Sequence, residues 1–90
     1  MKYLICFTCV SQGNTIEIRY TGKYYLLYVN NVECAYNTIP KFDYDTNGLN
    51  IHIKTEGFFG NDLSVFINDR QEAYLPNYMK SAKKKGYIES

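Results

Sequence analysis

Short runs of alternating apolar and polar residues, each ended by a tight turn, dominate the first 36 positions of the chain. Such alternation is typical of strands with one buried face. The pair Asn30-Asn31 suits a type I′ turn, because asparagine tolerates the positive φ that this turn requires. In that register one face is apolar throughout, with Val29 opposite Val32, Leu27 opposite Cys34 and Tyr25 opposite Tyr36.

A second predicted turn places the same residues of the shared strand on the apolar face. Gly22-Lys23 has the Gly-X form of a type II′ turn, and it sets Tyr20, Ile18 and Ile16 opposite Tyr25, Leu27 and Val29. An even-length turn near residues 12–14 then adds to this face Tyr3, Ile5, Phe7 and Cys9. The pattern therefore predicts an antiparallel meander with strands over residues 2–10, 15–21, 24–29 and 32–36.

The second half of the chain begins with another predicted hairpin. Its turn is Asn47-Gly48, which pairs Phe42, Tyr44 and Thr46 with Ile53, Ile51 and Leu49 and sets Asp43 opposite His52. Further strands are predicted over residues 63–68 and 72–74, and no internal repeat is evident. From about residue 75 the spacing of the apolar residues is that of a helix. One apolar stripe is formed by Leu75, Tyr78, Met79 and Ala82.

These elements predict a mainly β protein of the α+β class. We expect a curved antiparallel β-meander, or a small open barrel or sandwich, of about six to eight short strands closed by one C-terminal helix. A length of 90 residues is that of one small domain. Residues 1–90 are therefore expected to form a single domain, with its β part over 2–74 and its helix over about 76–85.

Composition narrows the classes of function. Ten Lys and Arg against nine Asp and Glu leave a net charge of +1, which argues against a chain that binds or mimics nucleic acid through its overall charge. Three cysteines are an odd number and favour a reducing compartment, so a cytoplasmic location is expected. No apolar run approaches the ~18 residues of a membrane span, and no membrane partner is expected.

Few residues are suited to catalysis or metal binding. Cys6 and Cys9 form a Cys-x-x-Cys motif, which Cys34 and His52 would complete as a nominal Cys₃His set. Residues three apart on a strand point to opposite faces, so we expect cysteines packed as small apolar residues, with no metal and no cofactor. His52 beside Asp43 could orient an imidazole for acid–base work or form a surface pair. Since no nucleophile motif or phosphate loop occurs, the chain is not expected to be an enzyme.

The face opposite the predicted core is more aromatic than a solvated sheet requires. Tyr24, Leu26 and Tyr28 lie on this face of the central strand, and Arg19 borders them. One interpretation is that the C-terminal helix covers the patch. The other is that the patch binds a partner, because tyrosine combines a large contact area with a hydrogen-bonding group.

Two further features are candidates for binding. Phe58 and Phe59 are adjacent in a loop between glycines, where they could plug the core or anchor an interface. The one cluster of like charges is basic and lies at the helix end, where it could contact phosphates or simply face the negative end of the helix dipole. It consists of Lys80, Lys83, Lys84 and Lys85.

The leading hypothesis is a small non-enzymatic protein-binding module that inhibits or regulates a larger protein by occupying its surface. A residue usage typical of AT-rich genes and the small size suggest a phage or mobile-element accessory protein, such as an inhibitor of a bacterial immune system. The alternative is a small β-barrel that binds nucleic acid or a nucleotide through sheet tyrosines and the basic helix end. An open strand edge would also permit a homodimer.

Overall fold

The computed structural model describes residues 1–89 and contains two antiparallel sheets packed face to face. The first sheet has the strand order β4-β3-β2-β1-β9. Its strands are β1 (Lys2–Ser11), β2 (Asn14–Tyr20), β3 (Tyr25–Val29), β4 (Val32–Asn37) and β9 (Ile88–Glu89). The first four strands form the predicted meander, and β9 was not predicted.

The second sheet is a four-stranded meander with the order β5-β6-β7-β8. Its strands are β5 (Phe42–Thr46), β6 (Leu49–Glu56), β7 (Asp62–Ile67) and β8 (Arg70–Leu75). One helix, α1 (Tyr78–Lys85), follows it. The prediction of a mainly β fold with one C-terminal helix is confirmed, and the two sheets form a sandwich that is not closed into a barrel.

The core lies between the two sheets. Each sheet contributes a row of aliphatic side chains that alternate with residues on the outer face. Fully buried members include Ile16, Ile18 and Leu27 from the first sheet and Ile51, Ile53, Leu63 and Val65 from the second.

Two predicted hairpins have the predicted register. In the β2–β3 hairpin, Tyr20, Ile18 and Ile16 pair with Tyr25, Leu27 and Val29. In the β5–β6 hairpin, all five predicted pairs are present, and they include Asp43 opposite His52. The turns between the strands explain this success, because a two-residue turn fixes the register of the residues on both sides.

The prediction for the start of β1 is wrong. A β-bulge at Cys6 shifts the register between Ile5 and Phe7, so that Leu4 pairs with Tyr20 and Ile5 with Arg19. The extra residue exchanges the two faces of the strand. Leu4 and Cys6 therefore enter the core, and Tyr3 and Ile5 lie on the outer face.

A second bulge changes the far part of β4. Val29 pairs with Val32 as predicted, but the register shifts at Cys34, and Leu27 then pairs with Ala35. The predicted pairs Leu27–Cys34 and Tyr25–Tyr36 are wrong by one residue. Tyr36 consequently moves to the outer face, opposite Leu26.

The two halves of the chain repeat one structural unit, which the sequence analysis missed. Residues 7–22 correspond to 42–57, and residues 24–37 correspond to 62–75. The bulge at Cys34 recurs at the equivalent position in β8, between the pairs that involve Val65 and Phe66. Eight of these 30 pairs are identical: Phe7/Phe42, Gly13/Gly48, Ile16/Ile51, Ile18/Ile53, Gly22/Gly57, Asn30/Asn68, Ala35/Ala73 and Tyr36/Tyr74.

One turn shows the repeat at atomic detail. Asn30 and Asn68 have φ angles of 52° and 53°. The Asn30 side chain accepts a hydrogen bond from the Thr15 amide at 3.0 Å, and the Asn30 amide donates to the Thr15 carbonyl at 2.8 Å. Asn68 makes the same two bonds with Asn50, at 2.8 and 2.9 Å. The two units therefore use the same device to join their turn to the neighbouring strand.

The two ends of the sandwich differ. One end, which we call the turn end, carries the tight turns at residues 12–13, 30–31, 47–48 and 68–69. The other, which we call the helix end, carries the turn at 22–23, the loop at 57–61 and α1. The first turn of α1 is held there, because the Tyr78 amide donates to the Asn61 carbonyl at 3.2 Å.

The helix packs on the inner side of the first sheet. Tyr78 and Ala82 join the core, and the Tyr78 ring lies edge-on to that of Tyr25 at 6.4 Å. Tyr25 points inward, away from the outer face of β3. The interpretation that α1 covers Tyr24, Leu26 and Tyr28 is therefore wrong.

Candidate functional site

The outer surface of the first sheet carries a contiguous aromatic patch. Most of its members come from β2, β3 and β4, and one comes from the start of β1. We call this surface the tyrosine face and define it by Tyr3, Arg19, Tyr24, Leu26, Tyr28 and Tyr36.

Arg19 lies at the centre of the tyrosine face. Its guanidinium carbon is 3.8 Å from the ring centroid of Tyr28 and 4.4 Å from that of Tyr3. Its Nε donates to the Glu17 carboxylate, and the two side chains are only 14% and 15% exposed. Burial, the largest single influence, lowers the pKa of Arg19, but the hydrogen bond to Glu17 and the charge of that carboxylate, with smaller contributions from Tyr3 and Tyr28, together raise the pKa. The cation is thus neutralised and fixed between two rings.

Leu26 shows how tightly these side chains pack. It lies on the outer face, yet it is only 7% exposed. Its neighbours across the strands are Arg19 and Tyr36, and the Tyr24 ring lies edge-on to Tyr36 at 5.5 Å. Side chains of the same face therefore cover Leu26, and Tyr36 itself remains 66% exposed.

The second unit shows which of these residues the fold requires. The cation over an aromatic ring is common to both units, because Lys54 lies over Phe66 at 5.6 Å where Arg19 lies over Tyr28. Other positions differ sharply. Tyr24 corresponds to Asp62, Leu26 to Ser64 and Val10 to Asp45. The same architecture therefore forms in the second unit with polar outer residues, where Ser64 donates to Glu56 and Asp62 accepts from Tyr74 and the Asn77 amide.

Phe58 and Phe59 do not plug the core. They are 94% and 77% exposed and lie in the loop at the helix end. Their rings pack against each other, edge to face, with centroids 4.7 Å apart. The structure thus places them on a different surface from the tyrosine face.

The lysine cluster is also separate from the tyrosine face. Lys80, Lys83, Lys84 and Lys85 are exposed on α1, which packs on the inner side of the first sheet. Three of them lie in the last helical turn, where they meet the negative end of the helix dipole. The sheet tyrosines and the basic helix end, which the nucleic-acid hypothesis combines, therefore lie on different sides of the molecule.

His52 and Asp43 pair across the strands but form no catalytic couple. Within residues 1–89, Asp43 accepts a hydrogen bond from Asn50 at 3.2 Å, and none joins it to His52. The imidazole instead lies 6.3 Å from the Phe66 ring. These side chains line a shallow cavity of about 410 Å³, together with Asn50, Lys54 and Asp69.

The three cysteines are free thiols. Burial raises the pKa of Cys6 to about 12, and burial followed by the charge of Glu72 raises the pKa of Cys9. Both shifts disfavour the thiolate that metal binding or nucleophilic attack requires. Among residues 1–89, no group of three or more His, Cys, Asp or Glu side chains is placed to hold a metal ion.

Sequence reasoning missed two members of the tyrosine face, Tyr3 and Tyr36. Both were assigned to the core face, and in both cases a bulge reverses the assignment. Around Tyr3 the sequence offers no signal, because Tyr3, Leu4, Ile5 and Cys6 are apolar in both registers.

Comparisons of the chain with protein families, curated proteins and solved structures find no match. Among the residues described, no helix is sufficiently long and apolar to cross a bilayer.

Proposed function

We propose that this chain is a small non-enzymatic module that binds a larger protein through the tyrosine face and thereby inhibits or regulates it. The observation that carries the proposal is the difference between the two repeated units. At equivalent outer positions, Tyr24 and Leu26 of the first unit replace Asp62 and Ser64 of the second. Since the equivalent positions of the second unit are polar and α1 does not cover Tyr24 and Leu26, a binding role accounts for them best.

The chemistry of the face suits a protein partner. Aromatic rings and a buried arginine are the residues enriched at the centres of protein interfaces. Here Arg19 is already fixed by Glu17 and two rings, so little side-chain entropy is lost on binding. Tyr36 adds an exposed ring at the border.

Binding of nucleic acid by the same face is less well supported. A strand laid across the tyrosine face would meet the carboxylates of Glu17 and Glu33, which border Tyr28 on the two neighbouring strands. The charge of Arg19 is already neutralised by Glu17. The remaining cation at this surface is Lys23, whose Nζ lies 5.3 Å from the ring centroid of Tyr24, and one such charge contributes little to phosphate binding.

The size and residue usage also fit a phage or mobile-element accessory protein acting in the cytoplasm, for example as an inhibitor of a bacterial immune system. A homodimer would require an open edge, and β4 provides one. Its bulge at Cys34 interrupts the row of free backbone groups there, which disfavours sheet extension.

A matched pair of variants tests the proposal. Tyr28 and Phe66 occupy equivalent positions, and each lies beneath a cation. Replacing either by Ala removes the same kind of contact, so both variants should lose a similar amount of stability. The protein captured from a host lysate should be purified, and its affinity for each variant should be measured by calorimetry.

We expect Tyr28→Ala to raise the Kd about tenfold or more, and Phe66→Ala to leave it unchanged. Addition of the wild-type chain should also alter the activity of the purified partner at a one-to-one ratio. Equal effects of the two variants, or capture that disappears after nuclease treatment, would contradict the proposal.

A further inference from the structure

The loop at residues 57–61, at the helix end, contains more residues than are needed to connect β6 to β7. Between the equivalent pairs Gly22/Gly57 and Tyr24/Asp62, the first unit has only Lys23, whereas the second unit has residues 58–61. Gly22 and Gly57 are equivalent and have similar φ angles of 96° and 90°. The second unit thus holds three additional residues, which include Phe58 and Phe59.

This loop presents its aromatic rings in a defined position. The Gly60 amide donates to the Gly57 carbonyl at 3.3 Å and closes the base of the loop. Asn61 then accepts a hydrogen bond from the first residue of α1, and Asp62 accepts one from the Asn77 amide at 3.1 Å. These bonds tie the backbone at the base of the loop to the start of α1. Two adjacent phenylalanines at such exposure are unfavourable in water.

Most of the exposed lysines lie at the same end of the molecule as these rings. They come from the start of β1, the turn at 22–23, the linker at residues 38–41 and α1, and the carboxylates at this end are Glu56, Asp62 and Glu89. Arg19 and Lys54 are not counted with them, because each pairs with a carboxylate. The seven exposed lysines of the helix end are Lys2, Lys23, Lys41, Lys80, Lys83, Lys84 and Lys85.

We propose that the helix end docks on an anionic lipid surface, with Phe58 and Phe59 inserted at the boundary between headgroups and acyl chains. An aromatic tip combined with a basic surround is the combination that holds proteins on anionic membranes. Neither feature requires a membrane-spanning helix. The sequence analysis expected no membrane partner, because no apolar run is long enough to span a bilayer, but docking on a membrane surface needs no such run.

The arrangement of the cations favours a bilayer over a nucleic acid. They come from the start of β1, the turn at 22–23, the linker at residues 38–41 and α1, so they are spread over the helix end rather than along one groove. The two rings also stack edge to face on each other at 84°, and they do not form successive parallel platforms for bases. A broad planar anionic surface matches this distribution best.

The test is binding of the full chain to vesicles of phosphatidylcholine, with and without phosphatidylglycerol, followed by flotation. We expect binding only to the anionic vesicles, with loss at high salt. Phe58→Ser with Phe59→Ser should reduce partition about a hundredfold, roughly tenfold for each ring. Lys83→Gln, Lys84→Gln and Lys85→Gln together should reduce it by a similar factor, about fivefold for each lysine.

Two controls come from the opposite end. Arg70→Gln and Val10→Ser remove an exposed cation and an exposed apolar side chain there, and both should leave partition unchanged. The chain contains no tryptophan, so Phe59→Trp provides a single reporter whose emission should shift to the blue with anionic vesicles.

Several results would overturn the inference. These are no binding to anionic vesicles, binding that is insensitive to the Phe58 and Phe59 substitutions, and an unshifted emission of the Phe59→Trp variant. Binding of single-stranded oligonucleotides that depends on Phe58 and Phe59, without vesicle binding, would assign the helix end to nucleic acid instead. The tyrosine face is not involved, so Tyr28→Ala should not alter vesicle binding.

Discussion

Replacing Tyr24 by Asp and Leu26 by Ser in one variant gives the first sheet the outer residues of the second, Asp62 and Ser64. Leu26 is 93% buried, since 7% is exposed, and exposing such a side chain costs about 2 kcal/mol. Loss of the contact between Tyr24 and Tyr36 costs about 1 kcal/mol more. The introduced carboxylate can accept a hydrogen bond from Tyr36, as Asp62 does from Tyr74, and so recover part of this cost.

We therefore expect the free energy of unfolding to fall by about 2–3 kcal/mol and the Tm by about 10–20 °C. That leaves a folded domain, because small domains have about 5–15 kcal/mol of stability. Thermal and urea denaturation followed by circular dichroism would measure both quantities, and affinity for the partner should be lost at temperatures where the variant is folded. A variant without a cooperative transition would refute the reasoning, since it would show that the apolar residues of the tyrosine face are required for folding. A variant that binds like the wild type would refute the assignment of the face.

Three further predictions test the fold. Burial raises the pKa of Cys6 from 9.0 to about 12, so the thiol ionises more readily in the unfolded chain than in the folded one. The stability that this shift contributes is fully present below pH 9. It falls by about 1.4 kcal/mol for each pH unit as the pH rises from 9 towards 12. Cys6→Ala should remove that contribution in urea denaturation at about pH 8 and about pH 10, and an unchanged slope would show that the thiol is accessible to water. Asn30→Gly and Asn68→Gly keep the positive φ but remove the side-chain acceptor, so each should cost about 1 kcal/mol. Asn30→Gly should cost somewhat more, because Asn30 Nδ2 also donates to Asn14 at 2.9 Å, and no loss at either position would contradict the role of the shared turn device. In Gly57→Ala, at a φ of +90°, the new Cβ would lie 2.7 Å from Oδ2 of Asp62, so we expect a loss of about 2 kcal/mol or more by thermal denaturation; a neutral effect would show that Asp62 moves freely.

Much of the fold could be predicted from turn chemistry. Three residue pairs are typical of two-residue hairpin turns, and each fixes the register of the residues beside it. They are Gly22-Lys23, Asn30-Asn31 and Asn47-Gly48. That is why the pairs of the β2–β3 and β5–β6 hairpins were predicted correctly. The change of period near residue 75 likewise predicted the helix, although α1 begins at Tyr78 rather than near residue 76.

The two errors in strand register have one physical cause. Each bulge adds one residue to a strand, and here no glycine or proline in the sequence signals it. The bulge reverses which face the residues beyond it occupy. At Cys6 and Cys34 the exchange brought Tyr3 and Tyr36 to the outer face. The helix could not be placed, because its apolar stripe would fit either face of the sheet. The repeat escaped notice because its similarity resides in turn geometry and alternation more than in identical residues.

Composition and alternation identified the candidate residues, but they did not show which of these residues share a surface. The sequence named Tyr24, Leu26, Tyr28 and Arg19, and the structure places them on one face. Phe58 and Phe59 lie elsewhere, beside lysines with which the sequence did not connect them. Net charge summed over the chain conceals where cations and carboxylates lie, and only the strand order separates them.

The duplicated unit has a consequence for how the molecule is held together. Each half supplies one complete meander, and the two meanders share no backbone ladder within residues 1–89. They pack through side chains, and the linker at residues 38–41 raises their effective concentration far above that of separate peptides. The chain also returns from the second meander to the first, because α1 packs on the first sheet and β9 pairs with β1. The C-terminal segment thus joins two halves whose outer residues can diverge independently.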